Sequence, residues 1–139
     1  MRYLPDSAAR TLTSVLVELS SKNQGALFAI AHDPAKLVVG ASPGLRQQFS
    51  GRYLFDLASV NTIAFCRLAA IDGCTVIDSE GHVVNAGVIL DIPEDFMSAG
   101  EGARTAASSF ASTFGLAVKV SHDGPITVFE DGVVIRQTA

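Results

Sequence analysis

The 139-residue sequence has no tryptophan, two cysteines, two tyrosines and no run of basic residues. Its ten Lys and Arg residues are scattered along a chain of net charge −4, which argues against a surface that binds a polyanion. The scarcity of Trp and Tyr also gives little support to an aromatic platform for stacking bases. We therefore predict that nucleic acid is not a partner.

Long apolar runs are also missing. The longest, residues 25–31 and 83–90, are far shorter than the roughly 18 to 20 residues that a membrane-spanning helix needs. The first residues turn polar without the apolar region of a secretory signal. We expect no membrane segment and a cytoplasmic location.

The two cysteines, Cys66 and Cys74, form no C-x-x-C pair and have no histidines at metal-ligand spacing. Both lie in apolar stretches that look like strands, so we predict that both are small core residues. His32 and His82 are interpreted as surface residues beside turns.

The apolar pattern predicts the order of helices and strands. Apolar residues at i, i+3, i+4 and i+7 predict a first helix over about residues 6–22, and an unbroken apolar run predicts a strand over 26–31 that is buried on both faces. We expect a strand over 37–40, a loop or short helix over 45–52 and a strand over 63–68. A hairpin follows, with strands over 73–77 and 82–90.

The C-terminal part is predicted as a loop over 93–100, a helix over 102–114 and three strands over 116–120, 126–129 and 133–136. With 48% apolar and 17% charged residues, the composition suits a sheet covered on both faces. We predict an α/β fold: one domain, residues 1–139, with a mixed sheet flanked by helices.

Asp72 and Gly73 stand directly before the first strand of the hairpin. A carboxylate here, beside a glycine that a ligand can approach closely, could hold a divalent metal or accept a proton from a hydroxyl. Asp-Gly is also a common turn dipeptide, so an ordinary turn is the alternative.

A second candidate is the glycine-rich stretch over residues 100–105 at a predicted helix start. The unpaired N–H groups of a helix N-terminus favour phosphate, and Arg104 in the first turn is unfavourable unless an anion is bound there. In the alternative, Arg104 extends into solvent, and Ser98 and Glu101 form a capping box.

These segments together resemble one known family, the diadenylate cyclase domain (DAC, similar to the N-terminal domain of DisA). The resemblance is carried by AIDGCTVI (70–77), GHVVNAGVIL (81–90), GARTAA (102–107), VKVS (118–121) and GPITV (124–128). It runs from about residue 25 to the C-terminus and implies a DAC-like fold with nucleotide-site motifs over about residues 70–124.

Members of that family condense two ATP molecules into cyclic di-AMP with Mg²⁺ or Mn²⁺, one nucleotide on each of two facing subunits. The resemblance therefore implies an adenine nucleotide as ligand, a homo-oligomer, and Mg²⁺ or Mn²⁺ if the chain is active. The family motif Asp-Gly-Ala is matched by Asp72 and Gly73, with Cys74 in place of alanine. By this resemblance, Asp72 binds metal and activates the attacking 3′-hydroxyl.

The second family motif, Gly-Thr-Arg-His-Arg, is matched only at Gly102 and Arg104. Ala103, Thr105 and Ala106 stand where the family has threonine, histidine and the second arginine. Two lost charge-assisted contacts, at about 1.5 to 3 kcal/mol each, would lower rate or affinity on the order of 10² to 10⁴-fold.

The acidic Ser-Glu-Glu stretch of the family is Ser121-His122-Asp123 here. Asp123 could keep one carboxylate for a metal, whereas His122 does not suit a hard cation. The candidate site residues are therefore as follows: for catalysis, Asp72; for the nucleotide, Gly73, Gly102, Arg104 and Thr105; for a metal, Asp72 and Asp123.

Three functional hypotheses follow. The first is a diverged DAC-like domain that binds an adenine nucleotide or a related phosphate ligand as a sensor or regulatory module, with weak or no catalysis and, if inactive, no cofactor. The second is an active diadenylate cyclase in which Thr105, Lys119 or Arg136 supplies the missing donors. The third is a structural domain for self-association that binds no nucleotide.

Overall fold

The computed structural model describes residues 3–38, 55–96 and 102–138. Its strands are β1 (Ala26–Ala31), β2 (Phe55–Asp56), β3 (Cys74–Asp78), β4 (His82–Val88), β5 (Gly115–Val120), β6 (Ile126–Glu130) and β7 (Val133–Gln137). Its helices are α1 (Asp6–Ser21), α2 (Pro34–Val38), α3 (Thr62–Ala69) and α4 (Ala103–Ser112), with a 3-10 turn at Glu94–Phe96.

The strands form one sheet in the order β2-β4-β3-β1-β5-β6-β7. β1 pairs in parallel with β3 and antiparallel with β5, and the other neighbours are antiparallel. The predicted mixed sheet with flanking helices is confirmed.

β1 is buried along its whole length, as the apolar run predicts. Its side chains alternate between the two faces of the sheet. Phe28 and Ile30 lie in the core that α1 and α3 cover, whereas Leu27 and Ala29 lie in the core that α2 and α4 cover. The two cores thus meet at one central strand.

The helical stripe of α1 is also confirmed, since Ala8, Leu12, Val15 and Leu19 are its buried residues. The helix begins after Pro5, where proline's fixed φ suits the residue that precedes a first turn. Among the described residues, no helix is long and apolar enough to cross a membrane.

The predicted strand over residues 63–68 is wrong, because this segment is helix α3. Asn61 caps the helix: its Oδ1 accepts a hydrogen bond of 3.1 Å from the N–H of Ala64. Phe65 and Ala69, four residues apart, are its buried side chains. The helix is so short and apolar that its period is hard to distinguish from that of a strand.

The strand predicted over residues 37–40 is also wrong for residues 37 and 38, the two that the structure describes. Residues 37 and 38 end helix α2, which begins at Pro34, a position where proline is tolerated because the first N–H of a helix needs no partner. Residues 39 and 40, the segment predicted over 45–52 and the end of the loop over 93–100 lie outside the described residues. Residues 94–96 of that loop form the 3-10 turn.

The hairpin and the three C-terminal strands are confirmed within one or two residues. Cys74 is buried on β3 as predicted, but Cys66 is half-buried on helix α3 rather than in a strand of the core. His32 is exposed as predicted. His82 is not a simple surface residue, because it is half-buried with Nδ1 3.0 Å from Oδ2 of Asp78.

The cap of α3 generates a test of the fold. We expect Asn61→Ala to lower the free energy of unfolding by about 1 kcal/mol, because it removes the capping acceptor, and Asn61→Asp to keep it. Urea unfolding measures both variants. Equal stability of the alanine variant and the wild-type protein would contradict a capped helix at this position.

Candidate functional site

The ends of three strands and of one helix meet at one end of the sheet. The parallel register pairs Leu27 with Cys74, and the antiparallel register pairs Ala26 with Val120. The start of β1 therefore lies beside the start of β3 and the end of β5. Helix α4 packs on β1 and β5 and leads into the start of β5, so its N-terminus lies over this same end.

A cavity of about 430 Å³ opens here. Much of its lining is apolar: Leu27, Val88, Ile89, Leu90, Ile92 and Ala107. The rest comes from the residues before and at the start of β3 and from the first turn of α4: Asp72, Gly73, Cys74, Gly102 and Arg104.

Four of the residues predicted from the sequence thus line one cavity: Asp72, Gly73, Gly102 and Arg104. In the described part of the chain, Asp72 is its one lining carboxylate and Arg104 its one lining cation. The cavity combines an apolar wall with one charge of each sign.

Gly73 is required by the backbone itself. Its φ is +109°, and a Cβ there would lie 2.6 Å from the carbonyl carbon of Gly87 on β4. The two hairpin strands therefore approach each other too closely for any side chain at this position. The exposed Asp72 comes directly before this glycine and lies at the rim of the cavity, next to the first residue of β3.

Gly102, by contrast, is not required by the packing of the residues that the structure describes. It occupies the N-cap of α4 with φ −73° and ψ 157°, and a Cβ there would meet nothing within 4 Å. Among the described residues, no side chain caps the helix. Ser98 and Glu101 lie outside the described residues, so the capping-box alternative stays a prediction.

Arg104 does not simply extend into solvent, which corrects that alternative. Its side chain is half-buried, and its NH1 lies 3.2 Å from Nε2 of His122. Gly25 lies against both: a Cβ on Gly25 would collide with NH1 of Arg104 and lie 2.9 Å from Cε1 of His122. The sequence reasoning missed Gly25, and it treated His122 only as a poor metal ligand.

Thr105 and Asp123 do not line the cavity. Oγ1 of Thr105 accepts a hydrogen bond of 3.1 Å from Nζ of Lys119, so this hydroxyl faces β5. Asp123 is exposed in the turn between β5 and β6. Arg136 is exposed on β7, which is an outer strand of the sheet.

The thiol of Cys74 stands where the resemblance expects a methyl group. It is fully buried, and burial raises its pKa to about 12. The thiol therefore keeps its proton at neutral pH and is not a nucleophile.

The residues present suit a divalent cation only together with a ligand. Mg²⁺ is usually held by one or two carboxylates plus phosphate oxygens and water, and Asp72 supplies one such carboxylate. A cluster with potential metal ligands, Asp78, Glu80 and His82, lies at the opposite end of β3.

Comparison with known sequences gives the family of this chain. The sequence model of the DAC family, described as "DisA bacterial checkpoint controller nucleotide-binding", matches residues 13–134. A diadenylate cyclase of Methanocaldococcus jannaschii is 36% identical over 120 residues, which cover 82% of this chain and 38% of that protein. The chain thus spans well under half the length of this relative.

Two solved structures share the fold. A hypothetical membrane spanning protein from Bacillus cereus superposes with a TM-score of 0.70, at 17% identity over 95% of this chain and 63% of that one. A double mutant of DacA from Staphylococcus aureus gives a TM-score of 0.64, at 17% identity over 95% of this chain and 86% of that one. Because the family model covers nearly all of the sequence and the fold agrees, this chain belongs to the DAC family of DisA-type nucleotide-binding domains.

Proposed function

We propose that this domain binds an adenine nucleotide in the cavity and acts as a sensor or regulatory module with weak or no cyclase activity. One observation carries the proposal. The motif residues that are retained, Asp72, Gly73, Gly102 and Arg104, line one cavity, while Thr105, one of the replaced residues, faces away from it.

The cavity suits a nucleotide in size and chemistry. Its volume of about 430 Å³ falls within the range of small-molecule sites, and its apolar wall suits a purine base. The N-terminus of α4, where a glycine occupies the N-cap, and the guanidinium of Arg104 suit phosphate oxygens. Base and phosphates would thus contact different sides of one cavity.

Weak catalysis follows from what the first turn of α4 lacks. Phosphoryl transfer relies on cationic and hydrogen-bonding groups that hold the triphosphate as pyrophosphate leaves. The hydroxyl of Thr105 is bonded to Lys119, and the buried methyl group of Ala106 carries no donor. Among the described residues that line the cavity, Arg104 is the one cation left to hold the phosphates.

Asp72 would hold Mg²⁺ or Mn²⁺ together with phosphate oxygens of a bound nucleotide. The cation would neutralise phosphate charge that Arg104 alone does not balance. Asp72 is also the group that would accept the proton of an attacking 3′-hydroxyl. Because members of the family place one nucleotide on each of two facing subunits, we propose that this domain also works as a homo-oligomer.

An active diadenylate cyclase is the second candidate. It is favoured by the 36% identity to a diadenylate cyclase and by the retained Asp72 at the rim of the cavity. The side chains suggested to replace the missing phosphate-binding donors are poorly placed for this role. Lys119 is bonded to Thr105, and Arg136 lies on the outer strand β7.

Incubation with ATP and Mn²⁺ or Mg²⁺ separates these two candidates. We expect the purified protein to form no more cyclic di-AMP than its Asp72→Asn variant, because too few groups stabilise the departing pyrophosphate. Chromatography of the nucleotides measures the product. Cyclic di-AMP that disappears in the variant would instead establish the active cyclase.

Substitution at Gly102 tests the phosphate contact with α4. Gly102→Asp and Gly102→Asn both supply a capping oxygen where a side chain meets no obstacle, so both should keep or slightly raise stability. We expect the carboxylate to weaken ATP binding by about tenfold or more, because it repels phosphate, and the neutral amide to weaken it much less.

Isothermal titration with ATP measures both variants, and urea unfolding checks their stability. Equal affinity of the Asp and Asn variants would place the phosphates elsewhere. Failure of the wild-type protein to bind ATP, ADP or a cyclic dinucleotide at millimolar concentration would reject the nucleotide-binding proposal.

A further inference from the structure

We propose that His122 is a positioning residue: a neutral acceptor that holds the guanidinium of Arg104 above Gly25 and leaves its positive charge for the phosphates of the ligand. The inference rests on the proposed function and assigns that site two residues, His122 and Gly25, that belong to neither sequence motif.

The geometry joins three separate segments. Arg104 is in the first turn of α4, His122 follows β5, and Gly25 directly precedes β1. NH1 of Arg104 lies 3.2 Å from Nε2 of His122, and the missing side chain of Gly25 leaves the space that the guanidinium occupies. The backbone of Gly25 is not in the left-handed region, so space rather than conformation explains the glycine.

The chemistry of the contact fixes the proton on the imidazole. A guanidinium has five N–H donors and no acceptor, so Nε2 of His122 must accept and the ring proton must sit on Nδ1. Arg104 is the charged group in contact with the ring. Lys119, on the preceding strand, donates to Thr105, and Asp123 is exposed in the same turn.

Neutrality is what makes histidine useful here. The family resemblance places acidic residues at this turn, and a carboxylate close to the guanidinium would pair with it and offset its charge. The neutral ring fixes Arg104 without that loss. Because Arg104 is the one cation lining the cavity in the described part of the chain, its full charge decides how well phosphates bind.

Replacing His122 with three different side chains tests the inference by titration with ATP and with adenosine. Compared with the wild-type protein, we expect ATP affinity to fall less than about threefold in His122→Gln, whose amide oxygen can accept, and about five- to tenfold in His122→Ala. His122→Glu should lose about tenfold or more, because its carboxylate neutralises Arg104. Adenosine, which has no phosphate, should bind all of them equally.

Two further variants sharpen the result. His32→Gln is the matched control, since His32 is exposed at the opposite end of β1, and it should bind ATP like the wild-type protein. Gly25→Ala should weaken ATP binding as His122→Ala does, with little further loss when both changes are combined, because both act through Arg104. Additive losses, or a His122→Glu variant that binds ATP as tightly as the wild-type protein, would overturn the inference.

A spectroscopic measurement separates this inference from the proposed function. In the nucleotide-free protein, ¹⁵N NMR of the imidazole should show His122 with its proton on Nδ1, a state that Arg104→Gln should change. A proton on Nε2 would overturn the positioning role even if ATP binds. If the wild-type protein binds no ATP, the proposed function fails, and the role in phosphate recognition fails with it, whatever the tautomer.

Discussion

The site depends on how β1 is placed within the sheet. This strand is buried on both faces, pairs in parallel with β3 and pairs antiparallel with β5. Those two registers bring the entrance of β3, the end of β5 and the first turn of α4 to a single end of the sheet. A shift of β1 by one residue would exchange its two buried faces and separate Gly25 from Arg104. The strand at which the two cores meet thus also sets the geometry of the cavity.

Much of the sheet could be predicted from sequence because its signals are local. The unbroken apolar run of β1, the turn between β3 and β4 and the glycine-containing turns near the C-terminus each act over a few residues. Helix α3 could not be recognised in the same way. Six of its eight residues are apolar, and the decisive feature is the cap at Asn61 together with the burial of Phe65 in the core.

The residues of the site likewise include some that the sequence could predict and some that it could not. Asp72 is noticed because it stands beside a glycine, and Gly102 because it lies in a glycine-rich stretch at a predicted helix start. The resemblance to a family joins the two. The contact of His122 with Arg104 spans two elements and depends on the register of β5 against β1, which no pattern in one sequence displays. Thr105 occupies a position of the motif, but its hydroxyl accepts a hydrogen bond from Lys119 on β5, a contact that sequence spacing does not reveal.

The buried thiol of Cys74 has a consequence for the redox behaviour of the cavity. Burial raises the pKa of this thiol to about 12, so it stays protonated at neutral pH, and the thiolate is the form that oxidants and alkylating reagents attack. Sulfur here adds volume and polarizability where a methyl group would otherwise lie, without adding reactivity. A cysteine at this position of the cavity wall is therefore protected from oxidation and alkylation by its burial.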